Sequence, residues 1–367
     1  MTNSKNYNLF LFLSTLTRSL VEVFSVIILY NKGYKISDIF LFLLIMYFVG
    51  IIVNTISLII NYKFILIVSN ITYGLSYLFL SFMPKTTINL IILAIILSLS
   101  SYSYHAIRHK LALYTQDKPT NKNITLFLVL IYIATIISNI LGVLFIKKLN
   151  IYLTSIIIFI SSIICLFPVL TLKNSPKEKV SLNDLNIPKR KIIFHILEQS
   201  KVLFLELQPL YIYINVKSAF SYIGIFNIII NASSLIIMLF ISKKIALKHF
   251  KLVTIFLGII LILKLNITNS KTLLLIAFLE GIAVKLYEKY SITKLYTPNT
   301  KNITSYLIAE EIIFFTTKTI LMLVFIILSF SLTKILYILI LGIVLSGFYI
   351  LKNLLFTLFS SIITIRK

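Results

Sequence analysis

The run Lys173-Asn174-Ser175-Pro176-Lys177-Glu178-Lys179-Val180-Ser181-Leu182-Asn183-Asp184-Leu185-Asn186-Ile187-Pro188-Lys189-Arg190-Lys191 is the longest polar stretch in the chain. It carries six basic residues, two acidic ones and the prolines Pro176 and Pro188. Such a composition cannot span a bilayer, and it reads as a cytosolic linker. Nearly everything on either side is apolar. The chain therefore reads as two similar hydrophobic halves, residues 1–172 and 192–367, joined at this point.

Hydrophobic residues make up 59% of the sequence and mean hydropathy is +1.01. A soluble domain of this length is less apolar and richer in charge. Apolar runs of about 20 residues recur along the whole chain, long enough to cross a hydrocarbon layer of about 30 Å. The expected fold class is an all-α integral membrane protein. The net charge of +24 does not point to nucleic acid, because the lysines sit in short loops between apolar runs. Cytoplasmic loops of membrane proteins are enriched in Lys and Arg. The single cysteine, Cys165, excludes an intrachain disulfide and a thiolate metal cluster. Lys5 precedes a long apolar run with no small-residue cleavage site, which reads as a retained first span.

Twelve spans are expected, six on each side of the linker. Span 1 covers Leu9–Tyr30, span 2 Ser37–Ile60, span 3 Phe64–Met83, and span 4 Ile88–His105. Spans 5 and 6 cover Ile124–Ile146 and Ile151–Leu172. Span 7 starts in the mixed stretch Ile192–Ser200 and ends near Val216. Spans 8 to 12 cover Ala219–Ile241, Leu252–Ile267, Leu273–Ser291, Ile303–Phe330 and Ile335–Leu351. Lysine and arginine concentrate in alternate loops, around Arg108–Lys122, Lys173–Lys191, Lys243–Lys251 and Lys289–Lys301. Both termini are therefore expected on the cytoplasmic side.

The halves also resemble each other. Leu113-Tyr114-Thr115 follows span 4 and Lys122-Asn123-Ile124-Thr125 enters span 5. Leu295-Tyr296-Thr297 follows span 10 and Lys301-Asn302-Ile303-Thr304 enters span 11. At one constant offset, Ser19 matches Ser200, Tyr30 matches Tyr211, Ser37 matches Ser218 and Lys63 matches Lys244. Two six-helix halves in the same orientation form a parallel repeat.

In this topology the chain resembles the major facilitator superfamily, as a divergent bacterial member. Gly33-Tyr34-Lys35-Ile36-Ser37 is similar to a turn common after the first helix of that family, and Tyr104-His105-Ala106-Ile107-Arg108-His109 to its arginine-bearing fourth helix. One departure stands out. The family's Gly-x-x-x-Asp-Arg-x-Gly-Arg-Arg-type loop is replaced by Asn54–Lys63, which has neither the Asp nor an Arg. The resemblance implies a bacterial cytoplasmic-membrane transporter, a monomer that is not an enzyme and moves a small molecule by alternating access.

An ionisable side chain inside a span is by default a functional candidate. Arg18 and Glu22 sit four apart on one face of span 1, either neutralising each other or lining a central cavity with Glu22 as a protonatable site. Span 7 offers Glu198, Lys201, Glu206 and Gln208 before Pro209, with Glu198 and Lys201 expected to pair. Glu206 lies deepest, and Pro209 removes a backbone donor and is a candidate kink or gate. Glu280 in span 10 needs a partner from another helix, for which Lys318 in span 11 is a candidate. Glu311 and Lys318 share a face of span 11. His105, Arg108 and His109 read either as a collar facing solvent or lipid phosphate, or as cavity residues. The candidates for transport or proton coupling are thus Glu22, Arg18, Glu206 and Glu280. Cavity or gate candidates are Arg108, His105, Gln208, Pro209, Glu311 and Lys318. The spacing of the four histidines supports no metal site, and no phosphate-binding glycine loop or other cofactor motif is present.

The function expected is secondary active transport of a small molecule, with a mild preference for export and proton coupling left open; lipid is the surrounding partner. The alternatives are a membrane-embedded enzyme and a flippase for lipid-linked sugars. The short outer loops argue against the first, and the parallel repeat against the second. The topology is checked by cysteine labelling of intact cells with a membrane-impermeant maleimide. Asn3→Cys is expected to stay unlabelled and Lys35→Cys to label; the reverse pattern overturns the orientation.

Overall fold

The computed structural model describes residues 2–114, 121–172, 189–240, 250–295 and 303–365. The linker up to Pro188, most of the two repeat-bearing loops, and Lys243, Lys244 and Lys248 lie outside the described residues. Those described are helical or in short turns. The chain runs through α1 (Thr2–Ser19), a 3-10 turn (Glu22–Phe24), α2 (Ser25–Asn31), α3 (Ile36–Ile59), α4 (Tyr62–Phe82) and α5 (Thr87–Tyr114). It continues through α6 (Asn121–Ile164), α7 (Leu166–Leu170), α8 (Lys189–Asn215), α9 (Phe220–Phe240) and α10 (Phe250–Asn266). The last helices are α11 (Ser270–Leu295), α12 (Ile303–Ile327) and α13 (Leu332–Ile365).

Side chains are distributed as a membrane requires. Phe48, Phe64, Ile88 and Phe240 are more than half exposed, while Ser69, Ser98, Ser100, Asn54 and Asn139 are fully buried. Small polar residues let helices approach closely in lipid, where apolar surface gains nothing by hiding. Six stretches are long and apolar enough to cross a membrane: Asn6–Asn31, Ile36–Ile59, Tyr62–Phe82, Thr87–Leu111, Leu128–Leu170 and Phe220–Phe240. The fifth contains a sharp break at Asn150, whose φ is 63°. Asparagine tolerates that conformation, and its Oδ1 accepts from the amides of Tyr152 and Leu153, capping the next helix. Basic side chains satisfy other helix ends. Lys32 Nζ donates to the carbonyls of Ser81 and Met83, and Lys110 Nζ to that of Leu58.

Three expectations are corrected here. Span 1 is not one helix: α1 stops at Ser19 and Leu20 and Val21 form a turn before Glu22. Span 4 does not end at His105, because α5 runs on to Tyr114. The last helix passes Leu351 and reaches Ile365. The break in span 1 has a packing cause. Ser138 Oγ donates to the Leu16 carbonyl at 2.5 Å, and α6 lies so close that a Cβ at Gly142 would sit 2.0 Å from the Leu20 oxygen.

Helices before the linker meet those after it along two seams, α3 against α12 and α6 against α9. One end of the bundle is also closed by aromatic contacts. Phe24 and Phe220 stack edge-on at 5.6 Å, and Tyr30 and Tyr213 at 6.5 Å. Because the atom facing Gly142 is backbone, it cannot swing aside. Gly142→Ala is expected to destabilise the protein by about 1–3 kcal/mol, read as a lower thermal midpoint in detergent. An unchanged midpoint would refute this packing account.

Candidate functional site

Between these helices lies a cavity of about 520 Å³. It is lined from the 3-10 turn (Glu22), α5 (Tyr102, His105, Arg108, His109), α6 (Tyr132, Thr135), α8 (His195, Glu198, Lys201, Glu206), α9 (Asn231), α11 (Glu288) and α12 (Glu311, Phe315, Lys318). Five of the eleven acidic residues of the chain line it, so the carboxylates of a strongly basic protein converge on one space. Residues near the ends of α5, α8, α11 and α12 that adjoin the basic loops dominate the lining, and the aromatic closure lies towards the other end.

Two ion-pair groups cross the cavity. Glu206 accepts from Lys318 Nζ at 2.9 Å and from the hydroxyl of Tyr47 on α3. Lys318 Nζ also lies 4.9 Å from the centre of the Tyr47 ring. Glu288 approaches Lys201 at 3.6 Å and Lys285 at 3.5 Å, and accepts from Tyr132 at 2.8 Å. The expected Glu198–Lys201 pairing is thus corrected, since Lys201 turns to Glu288. Glu198 lies 3.6 Å from His195, whose other ring nitrogen is 3.3 Å from Glu310.

Arg18 and Glu22 are both interior but do different things. Arg18 is buried between the rings of Tyr73 and Tyr104, at 4.4 and 4.1 Å from their centres. Its guanidinium donates to the carbonyls of Ser100 and Ser69 and to Ser69 Oγ at 2.7 Å. It ties α1 to α4 and α5. The break after Ser19 takes Glu22 off that helical face, so of the two readings left open no contact ion pair forms between Arg18 and Glu22. Glu22 is exposed into the cavity instead.

At the end of span 4 the structure selects the cavity reading of the two left open. His105, Arg108 and His109 face the cavity and form no lipid-facing collar. Arg108 Nη2 meets His105 Nδ1 at 3.0 Å, and the two histidine rings pack edge-on at 4.4 Å.

Glu280 and Gln208 lie outside the cavity lining. Both are buried, and Lys264 Nζ donates to Glu280 at 2.6 Å and to Gln208 Oε1. Lys264, not Lys318, is the partner of Glu280. Pro209 sits inside α8 directly after Gln208, and the helix continues through it to Asn215. The carbonyl of Leu205 thereby loses its usual donor. Sequence reasoning misses Lys264, although a lysine within Phe250–Asn266 carries the same signal as the carboxylates. It also misses Tyr47 and Tyr102, because tyrosines are too common here to stand out.

Among solved structures, a bacterial homologue of the iron transporter ferroportin in its outward-facing state aligns with a TM-score of 0.68. The alignment covers 95% of this chain and 98% of that one at 12% identity. At that identity the likeness shows a shared fold alone. No family model and no curated protein matches the chain.

The Lys264–Glu280 pair is fully dry, so removing one partner strands the other. Lys264→Met is expected to cost about 3–5 kcal/mol, and adding Glu280→Leu to recover most of it. Thermal denaturation in detergent measures both. A double variant no more stable than the single one would contradict the pairing.

Proposed function

We propose that the chain is a secondary active transporter that moves a small molecule by alternating access between two six-helix halves, residues 1–172 and 192–367. The observation that carries this reading is the charged cavity where helices from both sides of the linker meet. Buried ionisable groups in a membrane protein mark substrate or ion pathways, and sites between repeats are where such carriers bind. The transporter fold of the structural neighbour supports the same reading. Twelve spans follow if α6 is counted as two at Asn150 and if α8, α10, α11, α12 and α13 cross beside the six apolar stretches.

With both termini cytoplasmic, the cavity belongs to an inward-facing state. Its lining adjoins the basic loops, and the Tyr30–Tyr213 and Phe24–Phe220 contacts close the far side. The iron in the neighbour's description is not carried over. Among the described residues, no three His, Cys, Asp or Glu side chains come together to hold a metal ion. The protein acts as a monomer in the bacterial cytoplasmic membrane, with export as the preferred direction. Glu22 and Glu206, which both reach the cavity, are the proposed sites of proton coupling.

Proteoliposomes carrying a pH gradient and a panel of labelled compounds test this. Gradient-driven flux is expected for the native protein and is expected to fall at least about tenfold in Glu22→Gln or Glu206→Gln, as the loss of one interaction of about 1.4 kcal/mol would produce. A native protein that moves nothing under any gradient would overturn the reading. Flux unaltered in both variants would remove the proton coupling.

A further inference from the structure

Charge matching around the cavity is incomplete in one direction. Glu206 has Lys318 and Tyr47, Glu288 has Lys201, Lys285 and Tyr132, and Glu198 has His195. Among the described residues, Glu22 and Glu311 have no cationic side chain within 4.0 Å. Arg18 and Arg108 act on Glu22 through space, and Lys318 and Arg108 on Glu311, but none of them is at ion-pair distance. Glu311 is only 4% exposed and its Oε2 has no hydrogen-bond partner. A desolvated carboxylate oxygen without a donor is costly, so Glu311 has room for a positive group in direct contact.

The wall beside these groups is aromatic. Tyr102 and Phe315 pack edge-on at 4.3 Å, and both line the cavity. They lie directly against the backbone of α3, since a Cβ at Gly50 would come within 2.8 Å of each ring. The hydroxyl of Tyr102 is buried and also has no partner. Glu22, Glu206 and Glu311 are all electrostatic neighbours of that hydroxyl. Aromatic faces attract cations, and the attraction grows when the cation is desolvated. A cavity of about 520 Å³ is of a size that encloses a drug-sized molecule.

We propose that the cavity takes an amphipathic organic cation, with Glu311 and Glu22 as its counter-charges and Tyr102 and Phe315 as its aromatic wall. This deepens the transporter reading and rests on the same site. The cationic centre sits between the two carboxylates, and its apolar groups lie on the rings. Anionic compounds meet the same two carboxylates and are excluded.

The test uses equilibrium binding to the purified full-length protein in detergent. Its probes are tetraphenylphosphonium and tetraphenylborate, which match in size and differ in charge. The phosphonium is expected to bind and the borate not. Glu311→Gln is expected to weaken phosphonium binding about tenfold, as is Tyr102→Leu, with thermal midpoints reporting that each variant folds. Glu22→Gln, at an exposed position, keeps the test decisive if Glu311→Gln does not fold. Binding of the borate in preference, or phosphonium binding indifferent to both glutamate substitutions, overturns the proposal. The two readings fail separately. Phosphonium bound by a protein that carries nothing across proteoliposomes leaves the cation site standing and removes the transporter. Flux of neutral or anionic compounds with no phosphonium binding does the reverse.

Discussion

Glu206 on α8 and Lys318 on α12 meet at 2.9 Å, with the Tyr47 hydroxyl arriving from α3 on the other side of the linker. Much of the site's arrangement depends on this junction. Helices of an apolar chain gain no hydrophobic energy by associating in lipid, so their contacts are set by packing and polar pairing. Here a carboxylate, an ammonium and a phenol hold α3, α8 and α12 together at the cavity wall. The Glu206 side chain remains 34% exposed there. Water within reach lowers the cost of separating the charges, which a moving interface needs. The Lys264–Glu280 pair is the contrast. At 0% exposure on both sides it has no water to exchange with, and it fixes α10 to α11.

Much of the fold is legible in the sequence, because the spacing of apolar runs and basic loops follows directly from bilayer thickness. The short turn at Asn150 falls where Lys147 and Lys148 end one run and Ile151 begins the next. The break in α1 is not legible. Leu20 and Val21 are ordinary span residues, and only the approach of Gly142 and Ser138 from α6 explains why the helix turns there. That tertiary contact also decides the fate of Arg18 and Glu22. Their four-residue spacing is real, yet it implies a shared face only if the helix is continuous.

The candidate site is legible in its residues and largely illegible in its pairings. The rule that an intramembrane charge is functional picks out Glu22, Arg108, Glu206, Glu311 and Lys318, and all five reach the cavity. The same rule picks out Arg18 and Glu280, which are instead tied into buried cross-helix networks. Sequence spacing reports neighbours on one helix only. The partners of three singled-out charges came from other helices: Lys264 for Glu280, Lys318 for Glu206, and Ser69 for Arg18.

Alternating access requires that the closed end opens. Lys35, five residues after Tyr30, and Lys217, four residues after Tyr213, are both exposed. Spin labels on Lys35→Cys and Lys217→Cys, in a background with Cys165 replaced by serine, report their separation by double electron–electron resonance. Alternating access predicts two populations, one at the short separation of this structure and one longer, with their ratio shifted by a bound cavity ligand. A single short distance, unchanged across ligands and pH gradients, would contradict it.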